Sequence, residues 1–96
     1  IICGYDYMAI GAIKCICDKG LRVPEDIAVM GMDNISLCEY LTPALASIGS
    51  DINKICRVAA RSVLELINGQ EVQHKYLFPC EFYFRKSFEI KTEGFI

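Results

Sequence analysis

Apolar residues along this chain fall into two helix-like stretches set between short continuous runs, and that alternation governs the expected fold. From Ile52 to Ile67 they recur at 52, 55, 56, 59, 60, 63, 64 and 67, the spacing that lays one stripe down a helix. Arg57, Arg61 and Glu65 fall on its wet side. Ser50 or Asp51 is suited to cap its start and Asn68-Gly69 to end it. An earlier helix is expected from about Tyr7 to Lys19. Asp6 is its expected N-cap, with a carboxylate able to accept from free first-turn amides. The stop is signed by Lys19, by Gly20 suited to a left-handed residue, and by Leu21, which can pack back over the last turn. This helix is apolar on two sides. Met8, Ala12, Cys15 and Ile16 form one stripe; Ile10, Ile13 and Cys17 form another. A helix of that kind is packed on two sides. The first stripe is expected to face a sheet and the second another lobe or a second subunit.

The remaining runs are short. Ile1-Ile2-Cys3 reads as the end of a buried strand, and Ile27 to Met32 as a strand covered on both faces, as in a parallel sheet. Strand, helix and strand in so few residues make a βαβ unit with a right-handed crossover. Asp33 to Pro43 is expected as a loop or broken helix, Leu45 to Ile48 as a connecting strand, and Tyr76 to Arg85 as a final strand in which Pro79 marks an edge or a bulge. Lys86 to Ile96 carries no strong pattern. The class is α/β.

Composition narrows the function. The 96 residues are 53% hydrophobic and 23% charged, with a formal net charge of −2. Such a chain is globular and has no general attraction for phosphate backbones. No apolar run approaches the roughly 20 residues that span a bilayer, and no signal-peptide pattern is present. The chain opens on Ile1 inside an apolar stretch, which reads as a cut through a longer polypeptide. Six cysteines stand at 3, 15, 17, 38, 56 and 80. None form a C-x-x-C pair, and Cys15 and Cys17 point to different sides of one helix, so no metal site is expected. Reduced, buried thiols in a cytoplasmic protein fit the spacing better than a disulfide framework.

Ligands of open parallel sheets bind outside the carboxyl ends of the strands. Two turns leave such ends here, Gly4-Tyr5-Asp6 and Gly31-Met32-Asp33-Asn34. If the strands are neighbours, Tyr5, Asp6, Asp33 and Asn34 line one rim. Carboxylates there accept from hydroxyls or ring N–H groups, and a tyrosine offers a flat wall, which suits a polyol, sugar or nucleobase. For Asp6 a capping role weighs more than a ligand role. Catalysis has no positive support. His74 is the single histidine, and no G-x-S-x-G, P-loop, H-E-x-x-H or G-x-G-x-x-G occurs.

Tyr5-Asp6-Tyr7-Met8-Ala9-Ile10-Gly11-Ala12 resembles the N-D-x-M-A-x-G-A segment of the LacI/GalR family of transcription regulators. The run from Gly20 to Asn34 resembles that family's G-L-x-V-P-x-D-(I/V)-x-(V/I)-x-G-(F/Y)-D-(N/D) signature. Thr42-Pro43-Ala44-Leu45-Ala46-Ser47-Ile48 resembles T-P-x-L-T-T-(I/V), and Leu66-Ile67-Asn68-Gly69 and Arg85-Lys86-Ser87 follow in the family's order. The resemblance implies part of a two-lobed, Rossmann-like periplasmic-binding-protein-like domain with an effector in the cleft. Residues 1–44 and 76–87 would lie mainly in the C-terminal lobe, and 45–75 mainly in a crossing into the N-terminal lobe, with crossings near Leu45 to Ile48 and Val72 to Tyr76. Asp33 matches the family's effector-bonding aspartate. Tyr5 replaces the usual asparagine or aspartate, Ser50 stands where glutamine is frequent, and Met32 replaces an aromatic residue. Ile10, Ile13, Cys17 and Tyr40 match its dimer contact region. The expected partners are a small sugar-like or nucleobase-like effector and a second copy of the chain. DNA would be bound only by an N-terminal domain not contained here. No cofactor and no membrane are expected. The alternative reading is a fragment of a periplasmic-type sugar-binding protein of an uptake system.

Overall fold

The computed structural model describes residues 1–89. Their contacts divide into two units, one of residues 1–49 with the chain from Glu81 on, the other Ser50–Cys80.

The first unit is built on a sheet of three strands, β1 (Met30–Met32), β2 (Ala46–Gly49) and β3 (Glu81–Tyr83), in that spatial order. β1 and β2 are parallel, with Met30 opposite Ala46 and Met32 opposite Ile48. β3 runs antiparallel to β2, with Tyr83 opposite Ser47 and Glu81 opposite Gly49. Ile1 to Cys3 lies alongside β1 in parallel, through an Ile2–Met30 bridge and the bonds Cys3 N to Met30 O (2.8 Å) and Met30 N to Ile1 O (2.9 Å). β2 is the central strand of these three. The expected strands at 27–32 and 76–85 shorten to three residues each. Ser36–Tyr40 forms a short 3₁₀ helix where a broken helix was expected, and Lys86–Phe88 forms another.

Helix α1 (Asp6–Asp18) packs on this sheet through Ala9, Ile13 and Ile16. With Cys3, Val23, Val29, Cys38 and Leu45 they form the core. The spacing of 9, 13 and 16 is one helical face, but neither stripe expected from the sequence. Met8 and Cys15 are exposed, while Ile13, assigned to the outer stripe, is 8% exposed and lies in the core. A helix with two apolar stripes carries no pattern that distinguishes its inner face. Asp6 is buried in the first turn of α1, not in its N-cap. Tyr5 holds the cap position, extended and without a side-chain capping bond. The C-terminus closes as expected: Gly20 has φ of 78°, with Gly20 N bonded to Cys17 O (3.0 Å) and Leu21 N to Ile16 O (3.2 Å), the paired bonds of a Schellman end.

In the second unit, α2 (Ile52–Ile67) is capped by Asp51, whose carboxylate accepts from Lys54 N at 3.1 Å. Gly69, with φ of 73°, closes it through Gly69 N to Leu66 O and Gln70 N to Glu65 O. The apolar stripe of this helix is strongly formed but largely uncovered: Ile52, Val63, Leu64 and Ile67 are exposed, and no α2 residue is buried.

Candidate functional site

β1 ends at Met32 and the chain turns at Asp33 and Asn34. Ile1 to Cys3, parallel to β1, ends at the same edge of the sheet and leads through Gly4 and Tyr5 into α1. Tyr5 and Asp33 therefore stand in the segments that follow two neighbouring parallel strands, at one edge of the sheet. Both are exposed, and the Asp33 carboxylate has no hydrogen-bond or ion-pair partner among the described residues.

The turn itself is unusual. Asp33 has φ of 95° and Asn34 φ of 55°, a left-handed pair at two non-glycine positions. Such residues cost on the order of 1–3 kcal/mol each and persist where the surroundings over-determine them. Here the surroundings do. Asp33 N donates to Ile48 O at 2.7 Å. Asn34 N donates to Ser47 Oγ at 3.0 Å, and Ile35 N to Asp6 Oδ2 at 2.8 Å. Ser47 Oγ in turn donates to Asp6 Oδ1 at 2.6 Å. Arg85, just past the end of β3, closes the turn, with Nη2 donating to Asn34 Oδ1 at 2.8 Å and Nη1 to Leu45 O at 2.7 Å. Two glycines make room. A Cβ at Gly31 would lie 2.3 Å from Asp6 Oδ1, and one at Gly49 would lie 2.8 Å from Asp33 O.

These contacts revise the expected site. Asp6 is 1% exposed with both carboxylate oxygens occupied. It neither caps α1 nor faces the rim; it supports the turn from within. Asn34 is half-buried, and its carbonyl oxygen accepts from Arg85. Of the dimer candidates, Tyr40 is 79% exposed and Cys17 exposed, Ile10 is half-buried against the core, and Ile13 is withdrawn into it. Burial pushes the Cys38 thiol up to about 11, helped by the neighbouring charge of Asp6. A shallow hollow lined by Phe84, Arg85, Lys86, Phe88 and Glu89 contains none of the rim residues.

Ser47, Arg85 and Ser87 carry structural roles that the sequence did not single out. Ser87 Oγ donates to Val29 O (2.6 Å) and accepts from Ala46 N (2.8 Å), tying the approaches to β1 and β2 together. A polar residue inside the apolar run Leu45-Ala46-Ser47-Ile48 was the available signal, because a buried hydroxyl needs a partner. Arg85 had none: beside Lys86, a clamp and a surface cation look alike.

The model of the periplasmic binding protein-like domain matches residues 1–88. The chain belongs to that family. Its relatives within the periplasmic binding protein-like family are LacI-type regulators. It is 42% identical over 88 residues to the Bacillus subtilis (strain 168) protein named Probable HTH-type transcriptional repressor ExuR, covering 91% of this chain and 26% of that one. A LacI family transcriptional regulator from Arthrobacter sp. FB24, solved in complex with lactose, superposes with a TM-score of 0.81 at 34% identity, over 93% of this chain and 34% of that one. The dimeric Lac repressor superposes with a TM-score of 0.81 at 32% identity, over 91% and 32%. The fold is that of LacI-family effector-binding domains, and the chain spans about a quarter of the length of the curated repressor it matches.

Proposed function

We propose that this chain is the effector-sensing and dimerisation portion of a LacI-type transcription regulator, and that Asp33 and Tyr5 contact a small sugar-like or nucleobase-like effector. The observation that carries this reading is the Asp33 carboxylate. It stands exposed and, among the described residues, without a partner, on a turn held by bonds to β2, Asp6 and Arg85. A fixed acceptor at the carboxyl edge of a parallel pair is arranged to accept from a ligand's hydroxyl or ring N–H group. Tyr5 supplies an exposed ring at the same edge, and the NH2 of Asn34 a further donor. The role is binding, not catalysis. The relatives are named as repressors, and the lactose complex of the Arthrobacter regulator supports a ligand of this size and polarity. That kinship favours a cytoplasmic regulator over an uptake protein. The dimeric Lac repressor supports self-association, for which Tyr40, Cys17 and Ile10 are the accessible candidates. DNA contact belongs to another part of the parent polypeptide. The effector must bind DNA-competent and incompetent states with different affinity, since equal affinity shifts nothing.

The test is titration of the parent polypeptide with lactose, glucose and adenine, standing for the disaccharide, monosaccharide and nucleobase classes. Asp33→Ala is expected to weaken the responding probe by about tenfold or more, the scale of a lost hydrogen bond to a charged group. An unchanged titration removes Asp33 from the site.

A further inference from the structure

We propose that Asp6 is a positioning residue whose buried carboxylate sets the conformation of the Asp33-Asn34 turn, and so controls effector affinity without touching the effector. The second half of this proposal rests on Asp33 being an effector contact.

Asp6 is 1% exposed, and a carboxylate in such a place is costly unless it is fully hydrogen-bonded. Its partners are not spread over the fold. Oδ2 accepts from the Ile35 amide, and Oδ1 accepts from the Ser47 hydroxyl, which itself accepts from the Asn34 amide. Two consecutive main-chain donors, immediately after Asp33, therefore end on one carboxylate, one of them directly and one through a single hydroxyl. Successive amides in left-handed turn conformations form a concave anion-binding surface. Here the anion is internal, and it comes from 27 or more residues away in the chain.

The surroundings are shaped to that group. Gly31 lies where any side chain would strike Asp6 Oδ1. Ser47 is fully buried on the central strand, so its hydroxyl has no competing water. Cys38, neutral and buried, adds a side-chain hydrogen bond to Asp6 and lies within reach of its charge. Asp33 is anchored on its other side by Ile48 O, and Asn34 by Arg85. With Asp6 and Ser47 in place, the backbone on both sides of Asp33 is held, and its carboxylate projects from a rigid base. Without them the left-handed pair loses the bonds that hold it, and Asp33 samples conformations that do not present its carboxylate to the ligand.

The test has a structural arm and a binding arm, both run on the parent polypeptide. In Asp6→Asn an amide NH2 group can replace an acceptor that faces the Ile35 amide; in Ser47→Ala the bridging hydroxyl is lost. Amide hydrogen exchange at Asn34 and Ile35 is expected to accelerate about tenfold or more in both, as for loss of a buried hydrogen bond, while α1 amides keep their protection. Ser47→Thr retains the hydroxyl and is expected to stay near wild type. The affinity of whichever of lactose, glucose or adenine responds is expected to fall in parallel, with Ser47→Thr again close to wild type. Unchanged exchange at Asn34 and Ile35 overturns the proposal. So does equal loss of protection throughout α1 and the sheet, which marks a merely structural role. Looser turn amides with unchanged affinity, where Asp33→Ala does weaken the probe, overturn the link to binding. If Asp33→Ala has no effect, it is the proposed effector contact that fails, and the exchange arm still decides what holds the turn. Should Asp6→Asn not fold, the Ser47→Ala and Ser47→Thr pair carries the comparison.

Discussion

Cys38 and Ser87 show how single buried groups set the behaviour of this small core. Burial, then the charge of Asp6, raises the Cys38 thiol to about 11. The folded chain thus keeps a proton that the unfolded chain releases at the ordinary thiol value. The associated stability is fully present below that ordinary value, about 9, and is lost as pH rises through about 11. A thermal-melt series across that window is expected to fall less steeply in Cys38→Ala than in the wild type; equal slopes would remove Cys38 as a contributor. At Ser87 the effect is one of satisfaction. Ser87→Ala leaves Ala46 N and Val29 O without their partner inside the fold. It is expected to cost about 1–3 kcal/mol in urea unfolding. The sequence showed neither effect. A serine near the chain's end and a cysteine in a loop have no pattern, because their partners lie 41 to 58 residues away in Ser87's case and on α1 in that of Cys38.

Helix ends were legible in the sequence, whereas helix faces were only partly so. Both C-termini close on the glycines expected, Gly20 and Gly69, since only local backbone geometry is involved. The N-termini divide the two cases. Asp51 caps α2, whereas Asp6, with the same side chain in a similar position, turns inward to Ser47 and Ile35. Local preference yields where a tertiary partner offers more. Because α2 buries no residue, local terms carry much of its stability, and a helix of 16 residues is marginal by itself. Asp51→Ala is expected to cost about 1 kcal/mol, read as lower helicity in far-ultraviolet circular dichroism and faster exchange of the Lys54 amide. Unaltered helicity would show that α2 is held by contacts other than its cap. In α1 the true inner face runs through Ala9, Ile13 and Ile16. Apolar residues on two sides hid it, and Ile13, placed on the outer stripe, lies in the core.

At the scale of the whole molecule, the uncovered stripe of α2 and the short extent of the chain relative to its relatives point the same way. Exposed apolar surface of this kind is characteristic of a face that another surface covers. The 96-residue chain in isolation is expected to self-associate with rising concentration in sedimentation velocity. A compact monomer that melts cooperatively would contradict this.

What the sequence determined by itself was whatever depends on neighbours in the chain. That includes the α/β class, the two helices with their glycine ends, and the turn after β1. The motifs around Gly31-Met32-Asp33-Asn34 also placed the chain in its family. The tertiary structure alone decided the central position of β2, the inner face of α1, the clamp by Arg85 and the role of Asp6. Each of these depends on groups that meet only after the sheet has assembled. Asp6, Ser47 and Arg85 lie far apart in sequence and converge on Asn34 and Ile35 in space. Hydrophobic period records which side of an element is buried, but not which polar group a buried carboxylate will find there.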